Sequence, residues 1–196
     1  MFELVIRNGM VLDGTGKPAV HADVAIDQQT IQFVGQGDTI SAAREINASG
    51  LIVAPGFIDM HSHSDLTLFF QPDAQSKIRQ GVTTEVVGNC GVSCGPVRAQ
   101  HREALLHQFE ANNFTMTVSE KAVWKWPSQM DYMRELVKKG ISSNLIPLVG
   151  GVPLRVAAAG MKEHLEPQEL DTIKSLLQEE LRQGIWGMSS GLYYIP

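Results

Sequence analysis

Apolar and polar positions alternate along the first fifty residues with a period of about two. Phe2, Leu4 and Ile6 alternate with Glu3, Val5 and Arg7, which predicts a strand, and Asn8-Gly9 predicts a hairpin turn before residues 10–12 pair back. Asp13-Gly14 marks another turn. Residues 23–26 and 30–34 predict a second hairpin around Asp27, Gln28 and Gln29. The pattern changes at Leu51. Residues 51–58 form a nearly continuous apolar run, as expected of a strand covered on both faces.

After that run one cassette recurs three times: a helix ends, a glycine terminates it, and a short strand follows. Gln80-Gly81-Val82 leads into a strand at 84–87, Lys139-Gly140-Ile141 into one at 145–149, and Gln183-Gly184-Ile185 into one at 186–189. Glycine just past a helix suits a left-handed cap. Ser128 with Asp131 predicts a helix start before Met133, Leu136 and Val137. Pro167 opens another helix, whose apolar face is Leu170, Ile173, Leu176, Leu177 and Leu181. Alternating strands and helices predict an α/β fold with a parallel sheet and right-handed crossovers. Four such strands are half of an eight-stranded (β/α) barrel, which takes roughly 250 residues. The expected organisation is a small β-portion over 1–53, then the first four βα units of a barrel over 54–196, ending after the fourth strand. Residues 112–126 are poorly periodic and read as an insertion in which Trp124 and Trp126 pack.

Composition narrows the function classes. The chain of 196 residues is 43% hydrophobic and 19% charged, with a formal net charge of -5. No basic block supports a nucleic-acid or anionic-membrane partner. No apolar stretch approaches the roughly 18 residues needed to span a bilayer, and the N-terminus does not read as a secretory signal. Two cysteines, Cys90 and Cys94, make no disulfide framework, so a reducing cytoplasm is expected.

Three motifs carry candidate chemistry. In Pro55-Gly56-Phe57-Ile58-Asp59-Met60-His61-Ser62-His63-Ser64-Asp65, His61 and His63 lie two apart at the C-terminal end of a predicted strand. The period of two sends both imidazoles to one face, at the barrel rim where catalytic sites sit. They are suitable metal ligands, against the plainer reading of two surface histidines. In Gly88-Asn89-Cys90-Gly91-Val92-Ser93-Cys94, Cys90 falls just past the second barrel strand on the same rim. A thiolate there is a strong ligand, against the reading of a small buried cysteine; for Cys94 the buried reading is preferred. In Ser189-Ser190-Gly191-Leu192-Tyr193-Tyr194-Ile195-Pro196, the hydroxyls of Ser189, Ser190 and Tyr194 could bind a carboxylate or amide substrate, or the segment could be a simple turn. His101 and His107 flank a helical stretch and read as solvent-facing, and His164 lies near a helix start before Pro167. No phosphate loop, nucleophile elbow or dinucleotide fingerprint is present.

With these motifs the chain resembles the amidohydrolase superfamily, and within it the N-acyl-D-amino-acid deacylases, or D-aminoacylases. The broad signature is Ala54-Pro55-Gly56-Phe57-Ile58-Asp59-Met60-His61-Ser62-His63. The narrower one joins Gly81-Val82-Thr83-Thr84 to Gly88-Asn89-Cys90-Gly91-Val92-Ser93 and to the motif beginning at Ser189. The resemblance implies a (β/α) barrel preceded by part of a small β-sandwich, with His61, His63 and Cys90 as ligands for zinc, one or two divalent ions in all. It implies a hydrolase of non-peptide amide bonds that takes a small N-acyl-D-amino acid as substrate. The general base, an aspartate, and further histidine ligands belong to later strands, so this chain carries no catalytic acid or base and is expected to be inactive alone. Family members commonly have a histidine after the Leu-Val-Gly of the third strand, where this sequence has Gly151. Two alternatives stand beside this reading. One is a cyclic amidohydrolase of the dihydropyrimidinase or dihydroorotase kind, which would use a carboxylated lysine where Met188, Ser189 and Ser190 lie. The other is a non-catalytic remnant.

Overall fold

The first strand does not turn at Asn8-Gly9. In a computed structural model, which describes residues 1–194 other than Asp38, Asn113 and Thr115, strand β1 (Phe2–Val11) runs straight through that dipeptide. Asn8 adopts a left-handed backbone with φ 60, and the register shifts between Ile6 and Gly9. The dipeptide is therefore a bulge rather than a hairpin turn. Asp23 is the physical reason. Its Oδ1 accepts the Asn8 N–H at 2.8 Å, and its Oδ2 accepts from the Arg7 guanidinium at 2.9 Å. A donor released from the ladder thus finds a partner.

Strand β2 (Val20–Asp27) pairs antiparallel with β1 and with β3 (Thr30–Gly35). The second hairpin is as predicted. Its turn residues, Gln28 and Gln29, have φ 47 and 63, the positive pair that a tight two-residue turn needs. Strand β4 (Ala42–Asn47) joins the other side of β1 in parallel. Mostly exposed, it lacks the apolar alternation by which a strand is recognised, and the sequence does not reveal it. The run 51–58 is two strands rather than one. β5 (Ile52–Val53) pairs with β1, and β6 (Phe57–Asp59) begins a different sheet. The break falls at Pro55, which has no N–H to donate. Phe57 and Ile58 are 63% and 58% exposed, so the expected cover on both faces is absent among the described residues.

The chain divides into two compact units, Met1–Gly56 and Phe57–Pro196. The first contains one mixed sheet in the order β3-β2-β1-β4, with β5 also beside β1. The second layer of a sandwich does not occur among its described residues.

The second unit is α/β, as expected. After β6 come α1 (Asp65–Leu68), α2 (Gln75–Ile78), β7 (Val82–Val87), α3 (Arg102–Ala111), α4 (Val118–Val123), α5 (Gln129–Lys139), β8 (Asn144–Gly150), α6 (Gly151–Ala159), α7 (Pro167–Gln183) and β9 (Gly187–Ser189). The strands form a parallel sheet in the order β6-β7-β8-β9. The three cassette glycines, Gly81, Gly140 and Gly184, follow helices with φ of 81, 79 and 108. The Ser128 hydroxyl accepts the Asp131 N–H and caps α5. α6 is an unforeseen helix that starts directly at the end of β8, with Pro153 in its first turn.

The core of this unit is aromatic. Trp126 packs on Phe69, Trp124 and Tyr132, with ring centroids 5.2, 5.5 and 4.5 Å apart. Each such pair contributes about 0.5–1.5 kcal/mol beyond area burial. Trp124 and Trp126 are 2% and 7% exposed, so both tryptophans of the 112–126 segment serve packing. Among the described residues no helix is long and apolar enough to cross a membrane.

Candidate metal centre

His61 and His63 lie past the end of β6, in an irregular stretch leading into α1. Strand periodicity therefore does not aim them; hydrogen bonds do. Asp59 Oδ1 accepts the His61 N–H at 3.1 Å, and its Oδ2 accepts from Lys77 at 2.6 Å. The Ser62 N–H donates to the Val86 carbonyl at 3.1 Å. Asn89 Nδ2 donates to the carbonyls of Ser62 and Val86, at 3.2 and 2.7 Å. Beneath this stretch lies the fully buried Glu85. Its carboxyl accepts from Ser62 at 2.7 Å, Ser64 at 2.5 Å and Ser143 at 2.8 Å.

Cys90 is carried by a loop after β7 that interlocks with the segment after β9. Cys90 itself has φ 54. The Ser189 hydroxyl accepts the Gly91 N–H at 2.9 Å and donates to the Gly88 carbonyl, so it grips the loop on both sides of the cysteine. Two glycines make the approach possible. Gly91 has φ 77, and a Cβ there would lie 2.7 Å from the Gly191 nitrogen. A Cβ on Gly191 would strike the Cys90 carbonyl oxygen. From the other side the Val152 N–H at the start of α6 donates to the Gly91 carbonyl at 2.9 Å.

These supports bring His61, His63 and Cys90 together. One ligand atom from each lies within 4.8 Å of the others. His61 Nε2 is 3.0 Å from Cys90 Sγ, and the two imidazole centroids are 5.6 Å apart. Bonds of about 2.0 Å to nitrogen and 2.3 Å to sulfur at a tetrahedral angle place such donors about 3.5 Å apart. Small side-chain adjustments reach that spacing. His63 Nδ1 is buried and has no hydrogen-bonding partner among the described residues. Burial, aided by His61 and Lys77, pushes the His63 imidazole below its ordinary pKa, which favours the neutral form a ligand needs. Lys77 holds the Asp59 carboxyl below the usual range. The donor set fits a borderline-soft divalent ion.

The other candidate residues are less convergent. Ser189 is engaged with the Cys90 loop, Ser190 is exposed, and Tyr194 is half-buried against the aromatic core and 5.8 Å from Tyr193. Ile195 and Pro196, which end that motif, lie outside the described residues. Cys94 is fully buried, its thiol pushed up by burial. Gly151, which replaces the expected histidine, opens α6. Of the minor histidines, His107 and His164 are exposed, while His101 is half-buried beside Gly160. Sequence reasoning overlooks Glu85, Lys77 and Asn89. Glu85 does carry a signal, as an acid inside the apolar strand Val82–Val87.

A family model described as "Amidohydrolase family" matches residues 44–138. A D-aminoacylase of Alcaligenes xylosoxydans xylosoxydans is 31% identical over all of this chain and 39% of its own length. The crystal structure of N-acyl-D-glutamate deacylase from Bordetella bronchiseptica, complexed with zinc and a phosphonate mimic of the tetrahedral intermediate, is 34% identical. It superposes with a TM-score of 0.85 over 100% of this chain and 39% of that one. A D-aminoacylase structure described for its binuclear metal centre is 32% identical, with a TM-score of 0.86 over 99% of this chain and 39% of that one. The chain thus spans about two-fifths of the length of the relatives it matches. Its likeness is to the amidohydrolase family over residues 44–138 and, over its whole length, to N-acyl-D-amino-acid deacylases.

Proposed function

We propose that this chain forms the metal-binding portion of a hydrolase that deacylates N-acyl-D-amino acids, with His61, His63 and Cys90 as metal ligands. The convergence of those three donors within 4.8 Å is the observation that carries the reading. Two imidazoles and a thiolate favour zinc, and the Bordetella relative contains zinc. A bound ion supplies Lewis-acid polarisation of an amide carbonyl and activates water at neutral pH.

The chain's own residues supply orientation. Asp59 and the Ser62–Val86 contact fix the backbone that carries the imidazoles, and Ser189 fixes the loop that carries the thiol. We assign Ser190 and Tyr194 to hydrogen bonding with the substrate, a small N-acyl amino acid, and Ser189 to the cysteine loop with at most a shared role there. The parallel sheet β6-β7-β8-β9 is read as the first half of a (β/α) barrel, and residues 1–53 as a contribution to a β-sandwich. Two free thiols and an acidic chain suit a reducing cytoplasm without a nucleic-acid or membrane partner. The cyclic-amidohydrolase alternative gains nothing here, since β9 carries no lysine.

Metal analysis of the purified protein tests the reading. We expect about one tightly held zinc per chain, lost on Cys90→Ser. Supplied with a polypeptide carrying the later barrel strands of a D-aminoacylase, the chain should then release D-amino acid from N-acetyl-D-amino acids in a zinc-dependent manner. A protein that retains no zinc after purification in zinc-containing buffer would sink the proposal.

A further inference from the structure

We infer that Glu85 is a positioning residue, which holds the His-x-His segment in its ligating shape by gathering the hydroxyls of the two serines that alternate with the histidines. The inference rests on the metal reading above and deepens it. Ser62 and Ser64 both donate to Glu85 Oε2, at 2.7 and 2.5 Å, while Ser143 donates to Oε1 at 2.8 Å. The Ser64 N–H also donates to Ser62 Oγ at 3.1 Å, closing a small ring of bonds. One buried carboxyl therefore fixes residues on either side of His63 and directly after His61. Hydrogen bonds to a carboxylate are stronger and more directional than neutral ones.

The electrostatic setting explains why an acid is tolerated there. Asp59 and Glu85 are direct partners on adjacent parallel strands. Like charges so placed repel. Lys77, from α2, sits between them, with its ammonium 2.6 Å from Asp59 Oδ2 and 3.6 Å from Glu85 Oε2. Asp59 in turn accepts the His61 N–H. Both acids thus face the back of the histidine segment, one bonded to its backbone and the other to its hydroxyls, and a single lysine bridges them. None of these groups is among the proposed ligands. Their effect on the metal would pass through the shape of residues 61–64.

Two measurements test this on the intact protein. Zinc affinity, read by competition with a chromophoric chelator, should fall about 10–100-fold in Glu85→Ala, the usual range when the groups that orient ligands are removed. Glu85→Gln, which keeps the shape and one acceptor, should lie between. Imidazole NMR signals of the metal-free protein give a readout independent of any metal. We expect those of His61 and His63 to shift or broaden in Glu85→Ala while the methyl signals of the distant core residue Leu154 stay put. Should Glu85→Ala fail to fold, Ser64→Ala leaves Glu85 bonded to Ser62, Ser143 and Lys77, and should move the same signals less far. Unchanged imidazole signals in a folded variant overturn the positioning role. A wild-type protein that binds no zinc overturns the metal reading instead, and the imidazole signals still decide the role of Glu85.

Discussion

The hydroxyl of Ser189 joins the carbonyl of Gly88 to the N–H of Gly91, and Cys90 lies between the two. Removing that hydroxyl leaves a partly buried donor and an acceptor unpaired, at about 1–3 kcal/mol. Ser189→Ala should therefore lower the melting temperature by several degrees and change the rate at which Cys90 reacts with iodoacetamide, whereas Ser189→Thr should keep most of both. A Cys90 alkylation rate identical in wild type and Ser189→Ala would show that the loop does not depend on this contact. The convergence of His61, His63 and Cys90 was legible because a candidate metal ligand must be a particular residue type at a strand end. The role of Ser189 was not, because a hydroxyl beside a glycine turn serves a substrate or a backbone equally well. Only the approach of Gly191 to Cys90 separates the two.

At the level of elements, legibility followed the strength of the local signal. Helices α5 and α7 were readable from a cap, a proline and an apolar face. β4 was hidden because Arg44, Glu45 and Asn47 on an exposed strand look like loop. Asn8-Gly9 misled because a left-handed residue serves a bulge as well as a turn, and the choice was made by Asp23, fifteen residues away from Asn8. Asp23→Ala should cost about 1–3 kcal/mol by stranding the Asn8 N–H, while Arg7 keeps Glu45 and the Gly37 and Ile40 carbonyls; the loss is measurable by chemical denaturation. A loss below about 0.5 kcal/mol would mean that the bulge holds without it. The junction of α5 and α7 carries a pH signature. Glu180, 2% exposed, accepts the Gln129 N–H at 2.8 Å, and burial raises its pKa. A native state that keeps its proton where the unfolded chain has released it loses stability as pH rises. The melting temperature of wild type relative to Glu180→Gln should fall as pH increases from the ordinary glutamate range, near 4.3, through the raised native value. Parallel curves for the two proteins across that window would remove Glu180 as a source of pH dependence.

On the scale of the molecule, the candidate centre ties the second unit's sheet together from one end. The histidines follow β6 and Cys90 follows β7, while the Cys90 loop is bonded to the start of α6 beyond β8 and to Ser189 on β9. All four strand ends therefore meet around His61, His63 and Cys90, and an ion held there would crosslink residues far apart in the chain. The open flanks make such a link consequential. Among the described residues β6 and β9 each have a single neighbour, and Phe57, Met60 and Trp186 near those edges are 63%, 68% and 74% exposed. Unpaired edges and bare apolar side chains leave the sheet ends to the hydrogen bonds around Glu85 and the Cys90 loop. An ion that binds the folded state alone stabilises it by about 2.7 kcal/mol at a hundred times its dissociation constant. In a protein of this size that raises the melting temperature by about 5–10 °C. Zinc should produce that rise in wild type and much less in Cys90→Ser or His63→Ala, and a chelator should reverse it. The rise should also saturate at one equivalent of tightly bound ion, because a single set of three donors is responsible. An equal rise in wild type and Cys90→Ser would place the stabilising ion elsewhere on the protein and leave the sulfur without a role in holding the four strands together.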